Sequence, residues 1–420
     1  MMKSTFFICF SMLSLTFFGQ ELSINMELKP RFEYRHGFKT LVPDSLKAAT
    51  FVSQRSRLNI NYKSTKLTAL LSIQNVRVWG DVSTLSSSDA NGTAIHQAWA
   101  SFLLDSLFSL KIGRQEIVYD DSRIFGNVDW AQTGRSHDAF IASYHPNTKT
   151  RLDIGLVLNE EDETLFKTEY EVNNYKAFQY LWLHRNFGNF SGSILGLNTG
   201  FAFDSNGKQK VDYNQTFGGF ATFKKGKINA DASLYFQTGK IAGRSLDAFN
   251  LASNLHYDIS PVLNVGIGAE YLTGTDMDSN SDRLKSFNPL FGTNHKFNGW
   301  MDYFYVGNHI NSVGLLDICV PMKYQKGKWN LQFIPHAFSS AANVVDAFGN
   351  EQNPYLGTEL DVMLNYEIED NINFQMGYSH MFATDTMEIL KGGNRENITN
   401  WAWAMFVFKP RLFDSSFHKN

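Results

Sequence analysis

The sequence predicts an all-β chain, a single transmembrane antiparallel β-barrel of about 18 strands with short periplasmic turns and longer extracellular loops. Three observations predict it. Apolar and polar residues alternate with period two from near the N-terminus to the C-terminus. Every second connection between alternating stretches is short and rich in turn residues. The chain opens on an export-type leader, yet contains no internal run of 18 or more apolar residues that would form a membrane helix.

The leader is read over residues 1–20. Lys3 supplies a short positive region, 6–18 is apolar, and cleavage is expected near Gly19 or Gln20. Residues 21–420 then form one outer-membrane barrel without a linker or domain break. Cleavage removes Cys9 and leaves Cys319 alone, so no internal disulfide is expected. The 38 basic and 41 acidic residues nearly balance, which argues against bulk nucleic-acid binding. Aromatic content is high at 15%, with 36 Phe against 9 Pro, as suits strands.

The first segment sets the pattern. Ile24, Met26, Leu28, Pro30, Phe32 and Tyr34 alternate with Asn25, Glu27, Lys29, Arg31, Glu33 and Arg35. In a barrel the apolar face meets lipid and the polar face lines the lumen. Strands are expected near 22–36, 51–62, 66–79, 95–103, 107–116, 138–145, 150–158, 175–186 and 190–203. The second half continues near 212–223, 227–238, 248–259, 262–272, 310–325, 329–342, 355–368, 372–384 and 400–409. No segment shows a sustained 3.6-residue period with a cap before it.

The connections separate a barrel from a sandwich. Lys63-Ser64-Thr65, Gly188-Asn189, Lys224-Lys225-Gly226 and Lys326-Gly327-Lys328 are among the short ones. The intervening connections are expected to be longer and include 80–94, 117–137, 159–174, 273–309 and 385–399. Strict alternation puts all short turns on one side, as periplasmic turns, and an even strand count leaves both termini there. Tyr34, Tyr62, Trp79, Trp182, Trp300, Tyr303, Tyr305, Trp329, Trp401 and Trp403 lie near strand ends. Interfacial girdles explain them, and so does ordinary strand preference. The final strand, 401–408, is strongly aromatic and resembles the signal that barrel-assembly machinery reads.

The polar face carries the functional information. Arg31, Arg35, Arg55, Arg57 and Arg77 are expected to point inward. Arg114, Arg123 and Arg135 belong to the stretch 113–144, the densest cluster of charged and aromatic residues. Arginine keeps its charge and binds carboxylates bidentately, so several around a lumen favour anions. The alternative is that these arginines and the acids Glu27, Glu33, Asp138, Glu359, Asp361 and Glu367 only neutralise one another. Alternation places Arg114 with Leu110 and Ile112 on the lipid side, so either a bulge reverses it or it snorkels at the outer interface. It is nonetheless kept among the lumen candidates, below Arg55 and Arg57. The loop 117–137 is read as the mouth of the passage, with Asp129, Trp130 and Asp138 as its mouth residues and Trp130 as an anchor.

Q-N-V-R-V-W-G-D (74–81), H-Q-A-W-A (96–100), G-R-Q (113–115), D-D-S-R (120–123), D-W (129–130) and G-R-S-H-D-A-F (134–140) resemble the alginate export family. The closing F-K-P (408–410) resembles that of its Bacteroidetes members. The resemblance implies an eighteen-stranded outer-membrane barrel that exports an anionic uronic-acid polysaccharide through an Arg-rich lumen. By position it makes Arg55, Arg57, Arg77, Arg114, Arg123 and Arg135 candidates for that path.

The first functional expectation is therefore export or passage of an alginate-like anionic glycan. The second is a less selective porin for small solutes. A barrel enzyme or adhesin is the third. His96, His137, His256 and His380 are scattered over separate strands, and no nucleophile motif or metal spacing is present, so no catalytic residue, metal or cofactor is expected. The expected setting is a monomer in outer-membrane lipid and lipopolysaccharide.

Overall fold

The computed structural model describes residues 20–86, 88–89, 92–170 and 174–415. The expected leader, apart from Gln20, lies outside the described residues. Eighteen antiparallel strands form one closed barrel. They are β1 Glu21–His36, β2 Ala49–Lys63, β3 Leu67–Val78, β4 Ala94–Leu103, β5 Phe108–Gln115, β6 His137–Asn147, β7 Thr150–Leu158, β8 Tyr175–Asn186 and β9 Phe190–Ser205. The others are β10 Lys208–Lys225, β11 Ile228–Ile241, β12 Arg244–Ser260, β13 Leu263–Leu272, β14 Leu315–Cys319 with Met322–Lys326, β15 Trp329–Ser339, β16 Tyr355–Glu369, β17 Ile372–Ala383 and β18 Thr399–Phe408 with Arg411–Asp414.

The ring closes where β1 pairs with both β2 and β18, so that Phe32 faces Val52 on one side and Ala404 on the other. Prolines explain the two interrupted strands, because proline has no N–H for the ladder. Pro321 splits β14, and β13 pairs with both halves. Pro410 splits β18, and its carbonyl accepts from Met26 N at 3.0 Å.

Alternation decides which face meets lipid. On β12, Leu251, Leu255 and Tyr257 are exposed on the outer face while Asn250 is wholly buried. The same holds on β1, where Phe32 is exposed and Glu27, Lys29, Arg31 and Glu33 are buried inside. A barrel of this size encloses more space than its own side chains can fill. Two long connections occupy it, 116–136 after β5 and 273–314 after β13.

Four details differ from the sequence reading. Two external connections are tight turns, because β9–β10 and β11–β12 run on as long hairpins. Asn206-Gly207 (φ 54° and 71°) and Ala242-Gly243 (φ 48° and 82°) both hold the left-handed pair that a two-residue hairpin turn needs. Residues 310–314 belong to the second inward loop, and β14 starts only at Leu315. A seven-residue helix, α1 Asp385–Lys391, sits in the last external loop. Thr384 caps it by accepting from Met387 N at 3.3 Å, and it is too short to show a helical period. Finally, Trp182, Tyr303, Tyr305, Trp401 and Trp403 are buried inside rather than in an interfacial girdle, whereas Trp79 and Trp329 are exposed.

Candidate functional site

The first inward loop, 116–136, crosses the lumen from one side of the wall to the other. Near its start Tyr119 donates to Asp153 of β7 at 2.6 Å and lies 2.9 Å from the Tyr180 hydroxyl. Trp182 donates its indole N–H to Asp120 at 3.1 Å. Phe125 then packs against Phe178, Tyr180 and Phe291. The loop continues to β1–β3. There the Lys29 ammonium donates to the Asp129 carbonyl at 2.8 Å and Arg31 to the Trp130 carbonyl at 2.7 Å. Gln132 donates to Ser53 at 3.1 Å, and Gln74 donates to the Thr133 carbonyl at 3.0 Å.

The second loop, 273–314, is held mainly by β16. Buried carboxylates on β16 accept its backbone N–H groups: Glu359 from Met301 at 2.8 Å and Asp361 from Trp300 at 3.2 Å. Gly299 is required here, because at φ +81° a Cβ would lie 2.7 Å from the Glu359 carboxylate. Tyr303 reaches the Gly37 carbonyl at 2.5 Å, and Phe304 packs on Phe338.

The two loops also hold each other. Phe125 and Phe291 form a short parallel bridge, and Gly126 N donates to Phe291 O at 2.9 Å. Thr293 N donates to Ser122 O at 2.9 Å, and Arg135 donates to Gly292 O at 2.9 Å. Trp130 stacks on His295 at 4.6 Å and meets Trp401 and Trp403 edge-on. This explains why the last strand is so aromatic: Trp401 and Trp403 support the inward loops from inside the barrel.

Charges are sorted around the lumen. One wall, β1–β3, carries Lys29, Arg31, Arg35, Arg55, Arg57 and Arg77. Arg55 is wholly buried between Glu27 at 2.5 Å and Asp129 at 2.6 Å. Arg31 and Arg35 share Glu33, at 2.9 and 2.8 Å. Arg31 also lies 4.0 Å over the Trp130 ring. Arg57 is held by the neutral Gln74 amide oxygen at 2.8 Å rather than by a carboxylate. On this wall the cations Lys29, Arg31, Arg35, Arg55 and Arg57 outnumber the acids Glu27, Glu33 and Asp129. Glu116 nearby is engaged by His96 at 2.8 Å. A second stretch of wall, β13–β16, three strands from β1 at its nearer edge, carries Glu270, Asp317, Glu359 and Asp361 with His336, which lies 2.9 Å from Asp317.

Burial alone would push the loop carboxyl of Asp129 up, but Lys29 and Arg55 more than offset this and hold it below its usual range. Asp121 in the same loop goes the other way. Burial pushes it up to about 6, against a hydrogen bond from Arg123 N and the charges of Lys296 and Arg123.

The alginate export family profile matches residues 20–400. The chain belongs to the alginate export family. Its fold is that of solved outer-membrane porins. OccAB4 of Acinetobacter baumannii superposes with a TM-score of 0.64 at 14% identity, covering 94% of this chain and 99% of that one. A BenF-like porin from Pseudomonas fluorescens Pf-5 gives 0.60 at 13% identity, covering 93% and 99%. OpdK of Pseudomonas aeruginosa, solved with vanillate, gives 0.58 at 13% identity, covering 93% and 98%. No curated protein sequence matches the chain. Family and fold together place this protein in the outer membrane as a porin-like channel.

In this alginate export barrel the sequence-named residues divide into three groups. Arg31, Arg35, Arg55, Arg57 and Arg77 lie together on one inner wall, with Asp129 and Trp130 brought to it by the first loop. Arg77 reaches out to Asp89. Arg123 and Arg135 lie inside but serve the loops. Arg123 is almost wholly buried against Glu270 at 2.5 Å and Asn298 at 2.8 Å, and Arg135 binds the second loop. Arg114 and Asp138 are corrections. Both project from the outer face, where they pair with each other at 2.8 Å with Arg114 44% and Asp138 63% exposed. The strand keeps regular register through Gly113 and Arg114, so no bulge turns Arg114 inward.

The sequence reading placed Lys29 on the polar face, named Glu359 and Asp361 among the acids and expected 273–309 as a long connection, but it did not count Lys29 among the site residues, gather the acids into one cluster or turn the second loop inward. One signal was available for that loop. Between 287 and 305 stand Phe287, Phe291, Phe297, Trp300, Met301, Tyr303, Phe304 and Tyr305, too apolar for a segment lying in water.

Proposed function

We propose that this channel passes carboxylate-bearing glycans, alginate-like uronate chains or their oligomers, along the basic wall of β1–β3. The excess of Lys29, Arg31, Arg35, Arg55 and Arg57 over the facing carboxylates carries the reading. The arginines form a wall and not a ring, so the passage is one-sided, with its cations gathered on β1–β3, while the carboxylates of β13–β16 are buried against the second loop, Arg123 and His336. A uronate chain has one carboxylate per sugar, which suits a passage with cations along one side. Arg57 is the cation best placed to exchange its partner, because only an amide holds it. The Asp129 side chain, half exposed at 51%, marks where the loop meets the open lumen.

A second reading, a porin for small anionic solutes, is favoured by the two loops inside the lumen, which narrow it. The similar OpdK was solved with vanillate, itself a carboxylate. We read the protein as a channel and not an enzyme. Planar-bilayer reversal potentials in a salt gradient test both readings. Anion selectivity is expected, reduced in Arg57→Gln. Cation selectivity that is unchanged in Arg55→Ser with Arg57→Ser would reject an arginine-controlled passage.

A further inference from the structure

We propose that the outer surface of β8–β12 holds one anionic phospholipid of the periplasmic leaflet. A groove of about 640 Å³ runs there, lined by Leu183, Phe190, Phe217, Leu234 and Phe236. Its floor is Gly192, Gly219, Ala221 and Ala232, where small outward residues let the wall dip between flanking aromatic and aliphatic side chains. The exposed large apolar residues Ile194, Phe217 and Leu251 form its sides, so it is a lipid-facing surface and not part of the passage.

The groove is charged at one end only. Arg185 lines it beside Phe187, at the periplasmic end of β8. The β10–β11 turn adjoins this rim through its backbone, Lys224 N donating to Asn189 O of the β8–β9 turn at 2.8 Å, and it carries the exposed Lys225, on the outward face with Phe223, and Lys227. The groove lining contains no carboxylate. The neighbouring acids of β11 and β12, Asp231 and Asp258, alternate inward and bind Asn254 and Asn264.

An apolar channel rising toward the membrane mid-plane, with cations at the periplasmic rim, matches one occupant. It is a diacyl lipid whose phosphate lies at the rim and whose chain fills the groove. Lipopolysaccharide of the outer leaflet would need the cations at the opposite end. The inference does not depend on what passes through the lumen.

Native mass spectrometry of the detergent-solubilised barrel, titrated with dioleoylphosphatidylglycerol or dioleoylphosphatidylcholine, tests it. One phosphatidylglycerol should stay bound under activation that strips other lipid, with a several-fold preference over phosphatidylcholine. Arg185→Gln with Lys225→Gln and Lys227→Gln should remove the preference. These side chains lie at an exposed rim, so folding is not at stake. Ala221→Leu with Gly192→Leu should reduce retention while leaving the charges. A Cβ at Gly192 fits, with its nearest neighbour 3.5 Å away. Equal retention of the two lipids, unchanged binding in the filled groove, or a dimer in place of bound lipid would overturn the proposal.

Discussion

Arg55 and Arg57 sit two residues apart on one strand and face the same lumen, yet their surroundings give them different work. Arg55 is wholly buried with Glu27 and Asp129 as partners. Arg55→Met would remove the partner that Glu27 and Asp129 share, but Lys409 at 3.1 Å and Lys29 at 3.4 Å would still engage them, so the loss should fall below the roughly 3–5 kcal/mol of a fully broken buried pair. Urea unfolding in detergent micelles should show that loss. Arg57→Gln should leave stability nearly unchanged and move the reversal potential toward cations, which bilayer recordings will read. Asp121 offers a pH test. Its folded pKa of about 6 lies above the ordinary carboxylate value, so ionising it costs folded stability as pH rises through about 4 to 6. Asp121→Asn should therefore stabilise the barrel at pH 7, on the order of 1 kcal/mol, with the gain vanishing near pH 4. Asp129 has the opposite sign. Its contribution is complete at neutral pH and is lost only as pH falls through its depressed pKa, beneath the ordinary carboxylate range.

At the scale of elements, the first inward loop acts as a strap whose central fastener is Trp130. The ring meets Arg31, His295, Trp401 and Trp403 together. Trp130→Ala should release the loop and raise single-channel conductance and its noise, with barrel assembly intact. The loop's functional importance was legible in the sequence, because charged and aromatic residues crowd together where strand alternation stops. Its docking was not, since Asp129 and Trp130 find their partners on β1 and β2, about seventy to a hundred residues earlier in the chain. The second loop was less legible still. Phe287, Phe291 and Phe304 carry no period, and their burial makes sense only once a wide lumen exists to be filled.

For the whole molecule, period-two alternation and the punctuating turns carried the barrel, because a strand between lipid and lumen must alternate. Strand ends were less readable where hairpins run on beyond the membrane, as at Asn206-Gly207, a dipeptide that is itself a hairpin signal. Arg114 shows the limit of motif reading. Alternation placed it outside, resemblance placed it on the path, and the pair it forms with Asp138 on the outer face agrees with alternation. An intact closed barrel should migrate as a compact, fast form on unheated detergent gels and slow after boiling. The central claim is passage of carboxylate-bearing glycan along β1–β3, and block of single-channel current by uronate oligomers tests it most directly. Concentration-dependent block, weakened several-fold in Arg57→Gln and absent with neutral oligosaccharides of equal length, is the predicted result. Equal block by neutral and uronate oligomers, unaffected by that substitution, would contradict it.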